Sequence, residues 1–286
     1  DHSPMTNVDS KLNDYMHAWG ARSVPFHDEE KQQLFETEHT RQAVERLQQS
    51  AALRSVMLLS GDNGVGKSAL VASWVRSLEP KAYRPLTITQ ASLSASGVLC
   101  ALLAKLGQVP GYQRAVNISR MEDAIGHLGS VIPVIILDEA QNYTASAMEE
   151  VRLLLGLNLP SQPVFCLIMI GDNYLLDSLR LQSRRALYTR IAVSHQIQPL
   201  QPAQVEAYLI HRLKQAGLDR PCFEDAAVEM IASASDGVPR TINLISRTAW
   251  IEASREQQSK ITPKHVDVAL RLVPVARDKI AVPAAI

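Results

Sequence analysis

The segment LLSGDNGVGKSALV, Leu58–Val71, constrains the fold more than any other stretch of the chain. An apolar run enters a loop of small and polar residues, and a second apolar run leaves it through Lys67 and Ser68. Gly61, Gly66, Lys67 and Ser68 satisfy G-x-x-x-x-G-K-[ST]. Between a strand and a helix, that pattern turns backbone N–H groups inward around the phosphates of a nucleotide, and the start of the helix adds positive potential there. Lys67 is expected to neutralise the β and γ oxygens of ATP, and Ser68 to ligate Mg²⁺. Asp62, Asn63, Gly64 and Val65 complete the loop and Ala69 carries it into the helix, so the whole run from Gly61 counts as nucleotide contact.

The surrounding pattern supplies that context. Apolar runs at 55–60, 83–90, 131–140, 164–172 and 191–200 read as strands, and helical spacing follows at 67–78, 95–107, 118–130, 145–157 and 174–190, the last with a break near Gln182. Strands that are continuously apolar and alternate with helices predict an α/β fold, a parallel five-stranded sheet covered on both faces. From Pro202 onward every segment is helical, which predicts a small all-helical domain. The expected boundaries are a polar N-terminal arm at 1–36, the αβα nucleotide-binding domain at 37–200, the helical domain at 201–274 and a tail at 275–286. Asp1–Pro4, ahead of Met5, read as an expression scar.

Charge and composition narrow the function classes. The chain has 286 residues and balances 29 basic against 29 acidic side chains, so no bulk field selects nucleic acid or membrane, and a polyanion must be held by a local patch. Cys100, Cys166 and Cys222 lie far apart without a C-x-x-C pair, which argues against a zinc site or a disulfide framework and fits a reducing, cytoplasmic location. The longest apolar runs, such as VIPVIIL, are too short to span a bilayer, and no membrane partner is expected.

A phosphate loop alone does not make a hydrolase. The run VIILDEAQ places Asp138 and Glu139 at the carboxyl end of an apolar strand, the edge of a parallel sheet where ligands bind. Asp138 is expected to hold the Mg²⁺ shell with Ser68, and Glu139 to polarise the attacking water. Farther on, Gly237-Val238-Pro239-Arg240 opens a helix. Cations are disfavoured at that end, so the arginine calls for an anion, and a nucleotide phosphate between the two domains is the candidate.

The loop, LDEAQ and GVPR together resemble the AAA+ ATPases, within the branch of ExeA-type secretion ATPases and the TniB, TnsC and MuB kind of transposition ATPase. The likeness runs over roughly residues 22–272. It includes VPF in the arm, which adds Pro25 and Phe26 to the expected nucleotide contacts, ASLSASGVLCALLAKLG, and QIQPLQPAQVEAYLIHRL. The resemblance implies a P-loop αβα domain followed by a helical lid, and a homo-oligomeric ring or filament in which one subunit's arginine reaches the next subunit's γ-phosphate. Arg190 matches that place, with Arg184 and Arg185 as rivals. Where the branch carries a neutral polar sensor, this chain has Asp172, with Asn173 next to it. A carboxylate near the γ-phosphate is repelled, so hydrolysis is expected to be slow or partner-stimulated. Gln90 matches a polar position that restrains the catalytic glutamate.

Two processes follow from the resemblance. The leading one is ATP-dependent assembly on double-stranded DNA as a regulator of transposition that recruits a transposase or target-site adaptor. The other is a secretion-type ATPase of envelope assembly; a defence or signalling switch is a third use of the same core. DNA contacts would come from Lys81, Arg84, Lys105 and Arg114. They would be phosphate contacts, salt-dependent and weakly selective, since no helix-turn-helix or zinc module is evident.

Overall fold

The structure, a computed structural model, describes residues 7–27, 33–90, 93–157, 163–181 and 184–276. The tail from 277 onward, Asp1–Pro4 and the expected helix break at Gln182 lie outside them. The chain divides into two compact units, 36–198 and 1–35 together with 199–286.

The first unit is the parallel sheet. Its strands are β1 (Val56–Gly61), β2 (Tyr83–Ile88), β3 (Ile132–Leu137), β4 (Cys166–Ile170) and β5 (Ile191–Ile197). They are ordered β2-β3-β4-β1-β5, every pairing parallel. Every residue of β1 and β4 is buried, as strands covered on both faces must be. The unit's helices are α2 (Glu38–Ala52), α3 (Lys67–Ser77), α4 (Ala95–Lys105), α5 (Arg114–His127), α6 (Ala145–Leu154), α7 (Leu175–Arg180) and α8 (Arg185–Tyr188). One face of the sheet packs Leu58, Ile135, Leu137, Leu167 and Met169 against Leu99, Leu102, Val151 and Leu154 of α4 and α6. Numbering the helices in chain order, α1 (Asn7–Trp19) belongs to the other unit.

There α9 (Pro202–Gln215), α10 (Asp225–Ser235), α11 (Pro239–Arg255) and α12 (Pro263–Leu272) surround Trp250, which is fully buried. The stretch read as an irregular polar arm holds helix α1, whose Leu12, Tyr15, Met16 and Trp19 recur at helical spacing and pack into this core. Tyr15 and Trp19 both meet the Trp250 ring, at 6.4 and 6.2 Å. That spacing was visible in the sequence beneath the polar residues around it. Gly237, between α10 and α11, takes φ +70°, and a Cβ there would stand 1.9 Å from the Leu200 carbonyl oxygen, so only glycine fits before α11.

One buried group of the sheet unit carries a pH signature. His195 of β5 is 5% exposed, stacks on His39 of α2 at 4.8 Å, and accepts a hydrogen bond at Nδ1 from Arg46. Burial first, then Arg46 and His39, hold its pKa down to about 4, against an ordinary 6.5. Between those values the unfolded chain binds the proton and the native chain does not. Stability therefore falls as pH drops through that window, by at most about 1.4 kcal/mol per pH unit from this group. Urea midpoints at pH 7.5 and 5 should converge more closely for His195→Gln than for the wild type; an unchanged gap would assign the acid sensitivity elsewhere.

Candidate nucleotide-binding site

Three strand ends make the site. Because β4 lies between β1 and β3, the loop after β1, the acidic pair after β3 and the residues after β4 emerge side by side at one sheet edge. Lys81 and Arg84 lie at the amino end of β2, on the opposite edge.

The loop leaves β1 at Gly61, where a Cβ would stand 2.7 Å from the Ile197 carbonyl oxygen, so the chain can run this close to β5 only without a side chain. Gly64 and Gly66 take positive φ, 88° and 97°. Helix α3 starts at Lys67 behind Gly66, which offers no side-chain cap, so the N–H groups of the first turn are directed at the loop. Val65 is buried beneath the turn, while Asp62, Asn63, Ser68 and Ala69 are exposed. The Lys67 side chain is only 7% exposed, and its ammonium donates to the carbonyls of Gly61 at 2.8 Å and Asp62 at 3.0 Å. Burial pulls its pKa below the ordinary lysine value, while Glu139, Asp138, Asp172 and Asp62 push it upward.

Ser68 Oγ donates to Asp138 Oδ1 at 3.2 Å, so the two expected metal ligands meet directly. A hydroxyl and a carboxylate oxygen suit Mg²⁺, a hard cation that keeps waters and phosphate oxygens in its remaining positions. The same Asp138 oxygen accepts the Glu139 N–H at 2.9 Å. Glu139 itself is exposed and lies in the left-handed region, φ 51° and ψ 43°, at the head of a single 3₁₀ turn, Ala140–Asn142. Behind it Tyr143 is buried, its hydroxyl donating to the Ile88 carbonyl at 3.4 Å; burial and then Asp138 push that phenol up to about 12.

Beyond β4, Asp172 and Asn173 divide. The Asp172 carboxylate turns back to accept the Tyr174 N–H at 3.0 Å. The Asn173 amide donates to Asp62 of the phosphate loop at 2.6 Å and accepts from Gln196 of β5 at 2.9 Å. The neutral amide, not the carboxylate, is thus the group tied to the loop. Gln196, and Gln141 of the 3₁₀ turn, carry bonds here that the sequence reading assigned to no one. Gln141 stood inside LDEAQ, but its reach depends on a turn that no periodicity announces. Gln141 donates to Glu139 Oε2 at 2.6 Å. Gln90, after β2, is exposed.

Other expected residues have different employment. Arg184 donates to Ser178 Oγ at 2.5 Å and to the Tyr143 carbonyl at 3.0 Å, whereas Arg185 and Arg190 are exposed. Arg114 is ion-paired at 3.0 Å with the buried Glu150, and Arg84 reaches the Lys105 carbonyl at 3.4 Å. Lys81 and Lys105 are exposed. In the helical unit Arg240 is exposed in the first turn of α11. Pro25 and Phe26 are buried in that unit, the Phe26 ring 5.8 Å from Phe223. Among the described residues no helix is long and apolar enough to cross a membrane.

Residues 51–179 match the family model described as AAA domain. The chain is 30% identical over 229 residues to the general secretion pathway protein A of Aeromonas hydrophila, covering 78% of this chain and 41% of that one. It is 26% identical over 244 residues to the replication factor C small subunit of Aeropyrum pernix, covering 82% and 62%. The chain therefore spans less than two thirds of either relative. Among solved structures, Cdc6p from Pyrobaculum aerophilum superposes with a TM-score of 0.67 at 18% identity, over 94% of this chain and 74% of that one, a likeness of fold. Residues 51–179 thus resemble an AAA domain, and the chain has the P-loop AAA+ fold.

Proposed function

We propose that the chain binds ATP on the loop Gly61–Ser68 and hydrolyses it. The observation that carries this reading is the meeting of Lys67, the Ser68–Asp138 pair and Glu139 at one sheet edge. The first N–H groups of α3 and the Lys67 ammonium would receive the β and γ phosphates. Ser68 and Asp138 would hold Mg²⁺, which when bound offsets charge on the phosphate oxygens. Glu139 would take the proton of the attacking water, and Asn173, through its bond to Asp62, would stand nearest the γ-phosphate. Phosphoryl transfer leaves little covalent work for a protein beyond such positioning and charge compensation.

For the process, we favour the secretion-type reading over the regulation of transposition. The support is the 30% identity to a general secretion pathway protein, and the transposition reading has only the motif resemblance behind it. Arg114, one of the four expected DNA contacts, is already paired with Glu150. Hydrolysis would be shared between subunits of a homo-oligomer, with Arg190 or Arg185 supplying the trans arginine, since Arg184 is bonded within its own subunit.

Lys67→Ala should abolish ATP binding measured by calorimetry, whereas Glu139→Gln should bind normally and lose turnover. Equal loss of binding in both would remove Glu139 from the chemistry. Arg190→Ala should lower hydrolysis by on the order of 10³-fold and recover part of it when mixed with Lys67→Ala protein. A mixture that forms joint oligomers and stays inactive would contradict a shared site built on Arg190. Finally, the secretion-type reading expects no binding to a DNA duplex at physiological salt with a slowly hydrolysed ATP analogue; steep, cooperative binding that disappears with ADP would return the assignment to transposition.

A further inference from the structure

The amide of Gln141 is used at both ends. Its nitrogen donates to Glu139 Oε2 at 2.6 Å, and its oxygen accepts the backbone N–H of Asp172 at 3.3 Å. Chemistry fixes that orientation, because a carboxylate only accepts and a backbone N–H only donates. One side chain therefore bridges the end of β3, where the acidic pair lies, to the end of β4, where Asp172 and Asn173 lie. The seat is built for it. Gly171 has no unusual φ, but a Cβ there would stand 2.7 Å from Gln141 Oε1 and 2.4 Å from Leu175 Cδ2. The space that glycine leaves is the space the amide crosses.

Glu139 needs such a partner. A non-glycine residue in the left-handed region costs on the order of 1 kcal/mol and persists only where its surroundings hold it. Here the backbone is held by its N–H on Asp138 Oδ1 and by its carbonyl, which accepts the Asn142 N–H at 2.9 Å. The carboxylate, exposed and with several rotamers open to it, has Gln141.

We infer that Gln141 is a positioning residue: it fixes the Glu139 carboxylate toward the attacking water and couples that carboxylate to the strand end that meets the γ-phosphate. The inference rests on the reading of Glu139 as the group that polarises water. Any displacement of Asp172 on nucleotide binding would pass through one amide to Glu139, whose other oxygen would face the water. This role differs from the one expected of Gln90, which would act from the end of β2.

Two substitutions separate position from mere packing. Gln141→Leu removes both bonds. Gln141→Glu keeps the shape and an acceptor for Asp172 but takes away the donor to Glu139. Both should lower kcat by about 10- to 100-fold, the factor that a hydrogen bond to a charged group is worth, with the ATP dissociation constant unchanged within about twofold. In the nucleotide-free protein, the Asp172 amide resonance should move in Gln141→Leu and stay close to wild type in Gln141→Glu. In a Glu139→Gln background neither substitution should lower the residual rate further, because residues that act through one another are not additive. Wild-type turnover in Gln141→Glu, or loss of activity through weaker ATP binding alone, would overturn the coupling while Glu139 keeps its role. If Glu139→Gln itself turns over like wild type, the reading of Glu139 falls, and this inference with it.

Discussion

The parallel pairing of β4 with β1 on one side, Val56 through Leu59 against Leu167 through Ile170, and with β3 on the other brings three loops to one edge. The contacts that join these loops, Ser68 to Asp138 and Asn173 to Asp62, depend on it. Lys67 and Ser68 arrive from the first strand, Asp138 and Glu139 from the third, Asn173 from the fourth, although they lie as much as 106 residues apart. Strands buried on both faces are held in register by close packing, since a shift would misfit their side chains against the helices on either side. The chemistry is thereby positioned by the core of the sheet and not by the loops alone.

On that frame the electrostatics suit a phosphate group taken up together with a metal ion, as the proposed function requires. A largely buried ammonium, two of whose donors rest on the Gly61 and Asp62 carbonyls, is set among four carboxylates. The carbonyls are weak neutral partners, and phosphate oxygens with a metal ion would satisfy both the ammonium and the carboxylates more fully. A chain with no net charge would have to attract ATP through this local arrangement.

How much of this was legible depends on the range of the signal. The loop glycines, Lys67, Ser68 and the acidic pair stand in contiguous motifs whose local geometry is fixed by strand and helix, and the central strands β1, β3 and β4 show as apolar runs. Helix α1 was hidden because its apolar face, Leu12, Tyr15, Met16 and Trp19, is narrow and sits among polar residues that read as an arm. The Gln141 bridge and the Asn173–Asp62–Gln196 chain join residues from different strands, and such pairs exist only once the sheet has closed. The arginines show the same limit: three of them share one short stretch, and only the folded chain shows Arg184 spent on Ser178 and Tyr143.

The central claim is that the backbone between Gly61 and Ser68 receives the phosphates. Amide resonances of Gly64, Gly66, Lys67 and Ser68, followed by nuclear magnetic resonance during titration with Mg²⁺–ATP, test it most directly. The account predicts large shifts that saturate together, while the amides of Lys81 and Arg84, at the opposite edge of the sheet, stay in place. Loop amides that remain unmoved at saturating nucleotide, with shifts elsewhere in the chain, would contradict it.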